Sequence, residues 1–359
     1  MRSTSGEYYL RLDQLRALAA YLVFMWHFLH GVNGIPVAFH VEPLPPFSII
    51  DEGHLGVSLF MSLSGFLFVR LLQNRKVFYL GFIWNRILRL LPLLLLVLLI
   101  GWLRLNVNNA EEVVKINYLN SIAQGWRLPS LPNGGWSITV EFHYYLVLPI
   151  LLYAIARYGV RVLAFLLFLS IGVRAYLFVN DGTVQLLSYL TLVGRIDQFL
   201  LGMLAAIVAR RHPVPRWLMV FGVLIFTLIY QLFDHCGGFY DCGDFPSKSQ
   251  LWIFLPTIEG LFFALLISWF DAQKIENPSS WARCIAHAGQ WSYGLYLLHP
   301  FWVFGVASWL YLKLGWISNF YAALLVGTGV YLLSLPIAWL SWRFVESPFL
   351  KLRVNYVRH

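Results

Sequence analysis

The feature that most constrains this chain is the recurrence of long apolar stretches with almost no charge. Residues 89–103 read RLLPLLLLVLLIGWL and residues 161–179 read RVLAFLLFLSIGVRAYLFV. A bilayer core about 30 Å thick is crossed by about 20 helical residues, and backbone polar groups in lipid must be satisfied within the segment. Ten such stretches are expected, at roughly 14–33, 54–72, 82–103, 136–156, 160–179, 187–209, 217–233, 250–270, 290–311 and 319–341. Charged residues make up 12% of the chain, half the share of about 25% usual in soluble domains. The expectation is an all-α, polytopic membrane protein of about ten transmembrane helices. Residues 1–359 form one domain, with no internal repeat and no hydrophilic module.

The first residues are polar and mixed in charge, and no small-residue cleavage site follows the first apolar run, so that run is read as a retained membrane helix. A net charge of +9 invites a nucleic-acid reading, but in a membrane protein a basic surplus marks cytoplasmic loops. With the N-terminus inside, 19 Lys and Arg residues fall on the cytoplasmic side and six (Arg104, Lys115, Arg127, Arg174, Lys248 and Lys313) outside. The expected orientation is therefore N-in and C-in. Cys236 and Cys242 share a loop placed outside, where a disulfide is open to them, with two free thiols as the alternative. Cys284 falls inside.

Ionisable groups within spans cost about 2.5–3.5 kcal/mol each on insertion scales and default to functional candidates. Here they are His27, Glu141, His143, Arg195, Asp197, Glu259 and His299. For each, a buried pair that only fixes packing is the competing reading. Arg16 and His27 stand eleven residues apart, which on a helix is about 16 Å of rise and about 20° of rotation. They share a face, with Arg16 at the inner boundary and His27 near mid-membrane. Arg86 and Arg89, at i and i+3, are expected at the same inner level as Arg16. Three guanidiniums there make a candidate phosphate site; positive-inside flanking is the alternative for Arg86 and Arg89. Ser64 and Gly65 in SLSGF permit close helix approach. His299 is expected as deep as His27, with Glu141 slightly further out; an imidazole beside an acid suits proton abstraction from a hydroxyl. For Arg195 an ion pair with Asp197 is the structural reading, and for Glu346 a pair with Arg343. A metal site at His27 and His30 lacks a third ligand.

These residues resemble the bacterial membrane acyltransferase-3 family. Arg16, ten residues and His27 match its R-x10-H motif. SGF at Ser64–Phe66, the R-x-x-R of Arg86 and Arg89, WSITVEFHYYL with Glu141, RIDQFLLGML with Arg195, YGLYLLHP with His299 and RFVESP with Arg343 and Glu346 follow in the family's order. The resemblance implies about ten helices, an acyl-coenzyme A donor, usually acetyl, on the cytoplasmic side, and a saccharide hydroxyl as acceptor. It implies no permanently bound cofactor. Many members carry a C-terminal hydrolase-like domain, which residues 1–359 lack, so transfer is expected to finish within the membrane domain or on a partner. On this reading His27 is the general base or an acetyl relay, and Glu141 orients it or meets the acceptor. Arg16, Arg86 and Arg89 bind the donor, with Ser64, Arg195 and His299 as further substrate-binding candidates.

The expected setting is the bacterial inner membrane, with membrane lipids and a possibly lipid-linked glycan as partners and no nucleic acid. Intramembrane charge also marks transporters and glycan translocases, but those commonly show paired repeats. A nonenzymatic receptor or scaffold is the third reading.

Overall fold

A computed structural model describes residues 9–31, 39, 43–72, 76–107, 134–209, 212–243, 245–273 and 277–358. Among the described residues fifteen α-helices run in order: α1 Leu10–Leu29, α2 Ser48–Asp51, α3 Gly56–Leu72, α4 Tyr79–Val107, α5 Gly135–Tyr158, α6 Arg161–Asp181, α7 Gln185–Leu190, α8 Leu192–Val208, α9 Arg216–His235, α10 Leu251–Ala272, α11 Ser280–Gln290, α12 Ser292–Leu298, α13 Val303–Lys313, α14 Phe320–Ser341 and α15 Ser347–Leu350. A two-residue antiparallel ladder, Lys76–Val77 against Val357–Arg358, is the extended pairing among the described residues.

Among the described residues, each of the ten apolar stretches is mainly helical, the ninth with a break at His299–Phe301. Among the described residues, seven helices are long and apolar enough to cross a membrane, and eight if α12 and α13, bent by 55° at the His299–Phe301 turn, count as one span. Two expected spans fall short of that measure. α8 has 17 residues, and α1 carries Arg11, Asp13, Gln14 and Arg16 in its first two turns.

The reason is visible in the packing. α3, α8 and α10 pack on one another at the centre of the bundle, and α1, buried along most of its length, packs on α3 and on α11. They need not present an apolar face to lipid all round. At the α3–α8 crossing a Cβ on Gly65 would collide with the Phe199 carbonyl, and one on Gly202 with the Ser62 carbonyl. Such reciprocal small residues let backbones approach where no hydrophobic drive operates between helices. The outer helices are different. Leu91, Leu95, Leu99 and Leu103 make an exposed stripe on α4, and Phe165, Phe168, Tyr176 and Val179 face outward on α6. Apolar surface of this extent is fit for lipid.

Two buried polar clusters pin the centre together. Arg174, fully buried, donates from Nη2 to Asp197 and to Thr257 (both 2.8 Å), from Nη1 to the Gly194 carbonyl (2.6 Å) and from Nε to the Ile253 carbonyl (2.8 Å). Glu259 accepts from Ser58 (2.5 Å), Gln198 (2.8 Å) and Tyr230 (2.5 Å). Arg174 thus lies in the interior and not on the outer side to which loop counting assigned it. Four donors satisfied in one place explain how a helix as apolar as α6 carries it.

At the arginine-rich end of α1 further ties close the bundle. Arg70 pairs with Asp271, Gln14 donates to the Ala282 carbonyl at 2.9 Å, and the Arg11 guanidinium lies 4.4 Å from the Phe270 ring centroid. Replacing one partner of a buried ion pair costs about 3–5 kcal/mol because the other charge is stranded. Arg174→Ala should therefore lower the thermal midpoint of the purified protein markedly. Adding Asp197→Ala should restore part of the loss, and an unchanged midpoint for the single variant would contradict the packing described.

Candidate functional site

A cavity of about 770 Å³, counting its open mouth, lies between α1, α3, α4, α5 and α12. Arg16, Arg86 and Arg89 mark one end. Ser64, Glu141 and Tyr145 stand along its wall, and Phe60, Ser137 and Tyr296 also line it. Five of the eight candidate residues read from the sequence therefore meet in one space.

Helical spacing sets the acidic centre. Glu141 and Tyr145 are four apart on α5, and the Tyr145 hydroxyl donates to Glu141 Oε1. Ser64, brought across by the close α3–α8 packing, donates to the same oxygen at 2.9 Å. The structure thus shows Ser64 as a support of Glu141. Tyr145 was missed in the sequence, although its i+4 spacing from a buried acid was a legible signal.

At the cationic end the Arg86 guanidinium rests against the rings of Phe68 (5.2 Å), Phe82 (5.4 Å) and Tyr145 (5.9 Å), which hold it by cation–π attraction. Its Nε is buried without a hydrogen-bond partner. Arg16 is paired with Asp13 at 2.6 Å, which fixes the guanidinium at the mouth.

His27 and His299 form a pair of their own. His299 Nε2 lies 3.0 Å from His27 Nδ1. His27 Nδ1 is also 2.8 Å from the Val23 carbonyl, and His299 Nδ1 is 2.9 Å from the Leu295 carbonyl. A carbonyl only accepts, so both Nδ1 atoms carry hydrogen. In neutral rings the His299 Nε2 lone pair then faces His27 N–H, and His27 Nε2 keeps its own lone pair free for a proton.

This pair does not line the cavity. Tyr296 stands between, its ring centroid 6.2 Å from that of His299 and its hydroxyl accepting from Ser137 at 2.8 Å. Nor is His27 at the middle of its helix. α1 ends at Leu29, so His27 occupies the last turn; Gly31, packed against Ala307, follows at once.

Three other expectations are corrected. Arg195 does not line the cavity; it donates to Ser58 (2.9 Å) and Gln198 (3.1 Å) with its guanidinium 4.3 Å from the Tyr189 ring centroid. It does not pair with Asp197, which Arg174 holds. Glu346 does not pair with Arg343, because Arg343 points outward while Glu346 is buried. His30 Nδ1 donates to the Trp26 carbonyl at 2.8 Å. The proposed pairing of Cys236 with Cys242 lies outside the described side chains, and Cys236 is exposed.

Fold and cavity together define an all-α membrane protein with an internal polar chamber, cationic at one end. The chain belongs to the acyltransferase-3 family, since the family model described as an acyltransferase domain matches residues 9–343. Proteins of Staphylococcus aureus strains COL and MW2, each named "Putative O-acetyltransferase", are 22% identical to it over 95% of this chain. The chain spans 57% of the length of those relatives. No solved structure matches.

The hydrogen bonds fix a checkable state. Solid-state nitrogen NMR of histidine-labelled protein should find Nδ1–H on both His27 and His299 at neutral pH. An Nε2–H tautomer at His27 would refute the arrangement.

Proposed function

We propose that this protein is a membrane O-acyltransferase that moves an acetyl or other short acyl group from acyl-coenzyme A to a saccharide hydroxyl. The observation that carries the reading is the His27–His299 pair, which leaves an imidazole lone pair behind the Tyr296 wall of a chamber whose other end is cationic. Arg16, Arg86 and Arg89 take the phosphates of the donor, guanidinium being suited to bidentate phosphate binding. The flexible arm runs along the cavity and presents its thioester near Tyr296. That ring must shift for the thioester to reach His27.

His27 Nε2 takes the proton of the acceptor hydroxyl as its oxygen attacks the thioester carbonyl. The C–S bond breaks, the ester forms, and the thiolate recovers the proton from His27. The imidazolium formed in between still donates Nδ1–H to His299 Nε2 and the Val23 carbonyl, and this stabilises it. Glu141, held by Ser64 and Tyr145, accepts a hydrogen bond from the acceptor. The acceptor is a glycan of the cell envelope or a secreted saccharide, free or carried on a lipid, and the setting is the bacterial inner membrane with both termini cytoplasmic.

Purified protein with labelled acetyl-coenzyme A and lipid-linked glycans should yield labelled glycan. His27→Ala should lower the rate by about 10²–10⁴-fold, the usual share of a general base; full transfer by that variant would remove His27 from the mechanism. Arg16→Ala should raise the donor KM about tenfold, in the range of one charge-assisted contact, with little change in kcat. For orientation, α10 separates the exposed Cys236 from the exposed Cys284. An impermeant maleimide added to intact cells should modify Cys236 and spare Cys284; the reverse pattern would invert the topology.

A further inference from the structure

Beyond the matched family region, which ends at residue 343, the chain turns back on itself. α14 passes through a π-helical turn, Trp342–Glu346, into α15. Such turns are often placed at functional sites. Residues 351–358 then lie along the start of α4. Asn85 clasps Val354 through two hydrogen bonds, Nδ2 to the Val354 carbonyl (2.8 Å) and Val354 N–H to Oδ1 (3.0 Å). Phe78 N–H donates to the Tyr356 carbonyl at 2.8 Å. Tyr356 is buried, its ring 5.6 Å from Phe82, and Lys76–Val77 pairs with Val357–Arg358. The last residues are therefore a strap fastened to α4, and not a loose end.

The clasp has a consequence for charge. Asn85 adjoins Arg86, and Val354 adjoins Arg353, so the strap brings Arg353 to the cationic end of the cavity. Burial, and then the repulsion of Arg89 and Arg86, pulls the Arg353 guanidinium down to about 9. It remains charged at neutral pH. Three guanidiniums thus crowd together. Glu346 lies near Arg89, buried with neither carboxylate oxygen hydrogen-bonded. Like charges gathered this way are stabilised by an anion arriving from solution.

We propose that Arg353, delivered by the C-terminal strap, is a donor-binding residue that takes a phosphate of the acyl carrier beside Arg86 and Arg89. It does not line the cavity itself. The arm of the donor fills the cavity, and the nucleotide lies outside the mouth, where Arg353 stands. Glu346 supplies an acceptor for a hydroxyl or N–H group of the same ligand. This assignment rests on the coenzyme A reading of the cavity, but it names a residue that the R-x10-H and R-x-x-R motifs do not contain.

The test is a calorimetric comparison of coenzyme A with pantetheine, which has the same arm and no phosphate, using full-length protein in detergent. The native protein should bind coenzyme A the more tightly. Arg353→Gln should weaken coenzyme A about tenfold, as loss of one charge-assisted phosphate contact does, and leave pantetheine unaffected. Arg353→Lys, which keeps the charge, should recover part of the loss. Equal affinities of native and Arg353→Gln protein for coenzyme A would overturn the assignment. So would a parallel loss for both ligands, which would show a strap that only holds the fold. A native protein that binds neither ligand would refute the donor reading itself, an outcome distinct from either.

Discussion

The structure depends on one rule: a charge inside a bundle that lies in lipid must find its partners within the bundle. Arg174 obeys it fully, with three kinds of acceptor around one guanidinium. Glu259 obeys it through Ser58, Gln198 and Tyr230. These clusters stitch α3, α6, α8, α9 and α10 into a body rigid enough to hold α1 at its centre. Against that background the departures carry meaning. Arg86 Nε and both oxygens of Glu346 are buried without hydrogen bonds, and they stand at the cavity's cationic end.

The histidine pair follows from the same economy of partners. Two backbone carbonyls, from Val23 and Leu295, each claim an Nδ1–H. The rest is forced: His299 must present a lone pair to His27, and His27 must keep one at Nε2. An imidazole with its tautomer fixed by neighbours is a better-defined base than a free one. A second histidine, where an acid is the commoner partner, also adds no formal negative charge beside His27. Glu141 is kept at a distance by its own partners, Ser64 and Tyr145, and does not touch the pair.

Much of this was legible in the sequence, and the reasons differ from residue to residue. Apolar length located every one of the ten helical stretches, because lipid leaves few alternatives. It did not distinguish the central α1 and α8 from the lipid-facing helices, since both kinds are apolar and only packing tells them apart. Helical periodicity placed Arg16 with Arg86 and Arg89. Loop counting misplaced Arg174, because a cation fully bonded inside looks the same in a sequence as one outside. The assumed Arg195–Asp197 pair failed for a related reason. Residues two apart on a helix point about 200° from each other, so Asp197 turns to α6 while Arg195 turns to α3. The Asn85 clasp could be found only once the helices were side by side.

The position of Tyr296 sharpens what the two ends of the cavity ask of each other. Arg16 and His27 share one face of α1, yet the chamber that begins at Arg16 stops at Phe60 and Tyr296, short of the imidazole. A donor bound by its phosphates alone would leave its thioester against that wall. Tyr296 is held there by Ser137 on α5, the helix that also carries Glu141, and it is three residues before His299 on the broken α12–α13 segment. One ring is therefore coupled to the acid, to the histidine pair and to the bend. A group arriving at Glu141 acts on the same helix that anchors this ring, so acceptor occupancy and access to His27 share a mechanical element. On the proposed thioester chemistry, such a wall would keep water from His27 until both substrates are in place, and hydrolysis is the reaction it would prevent.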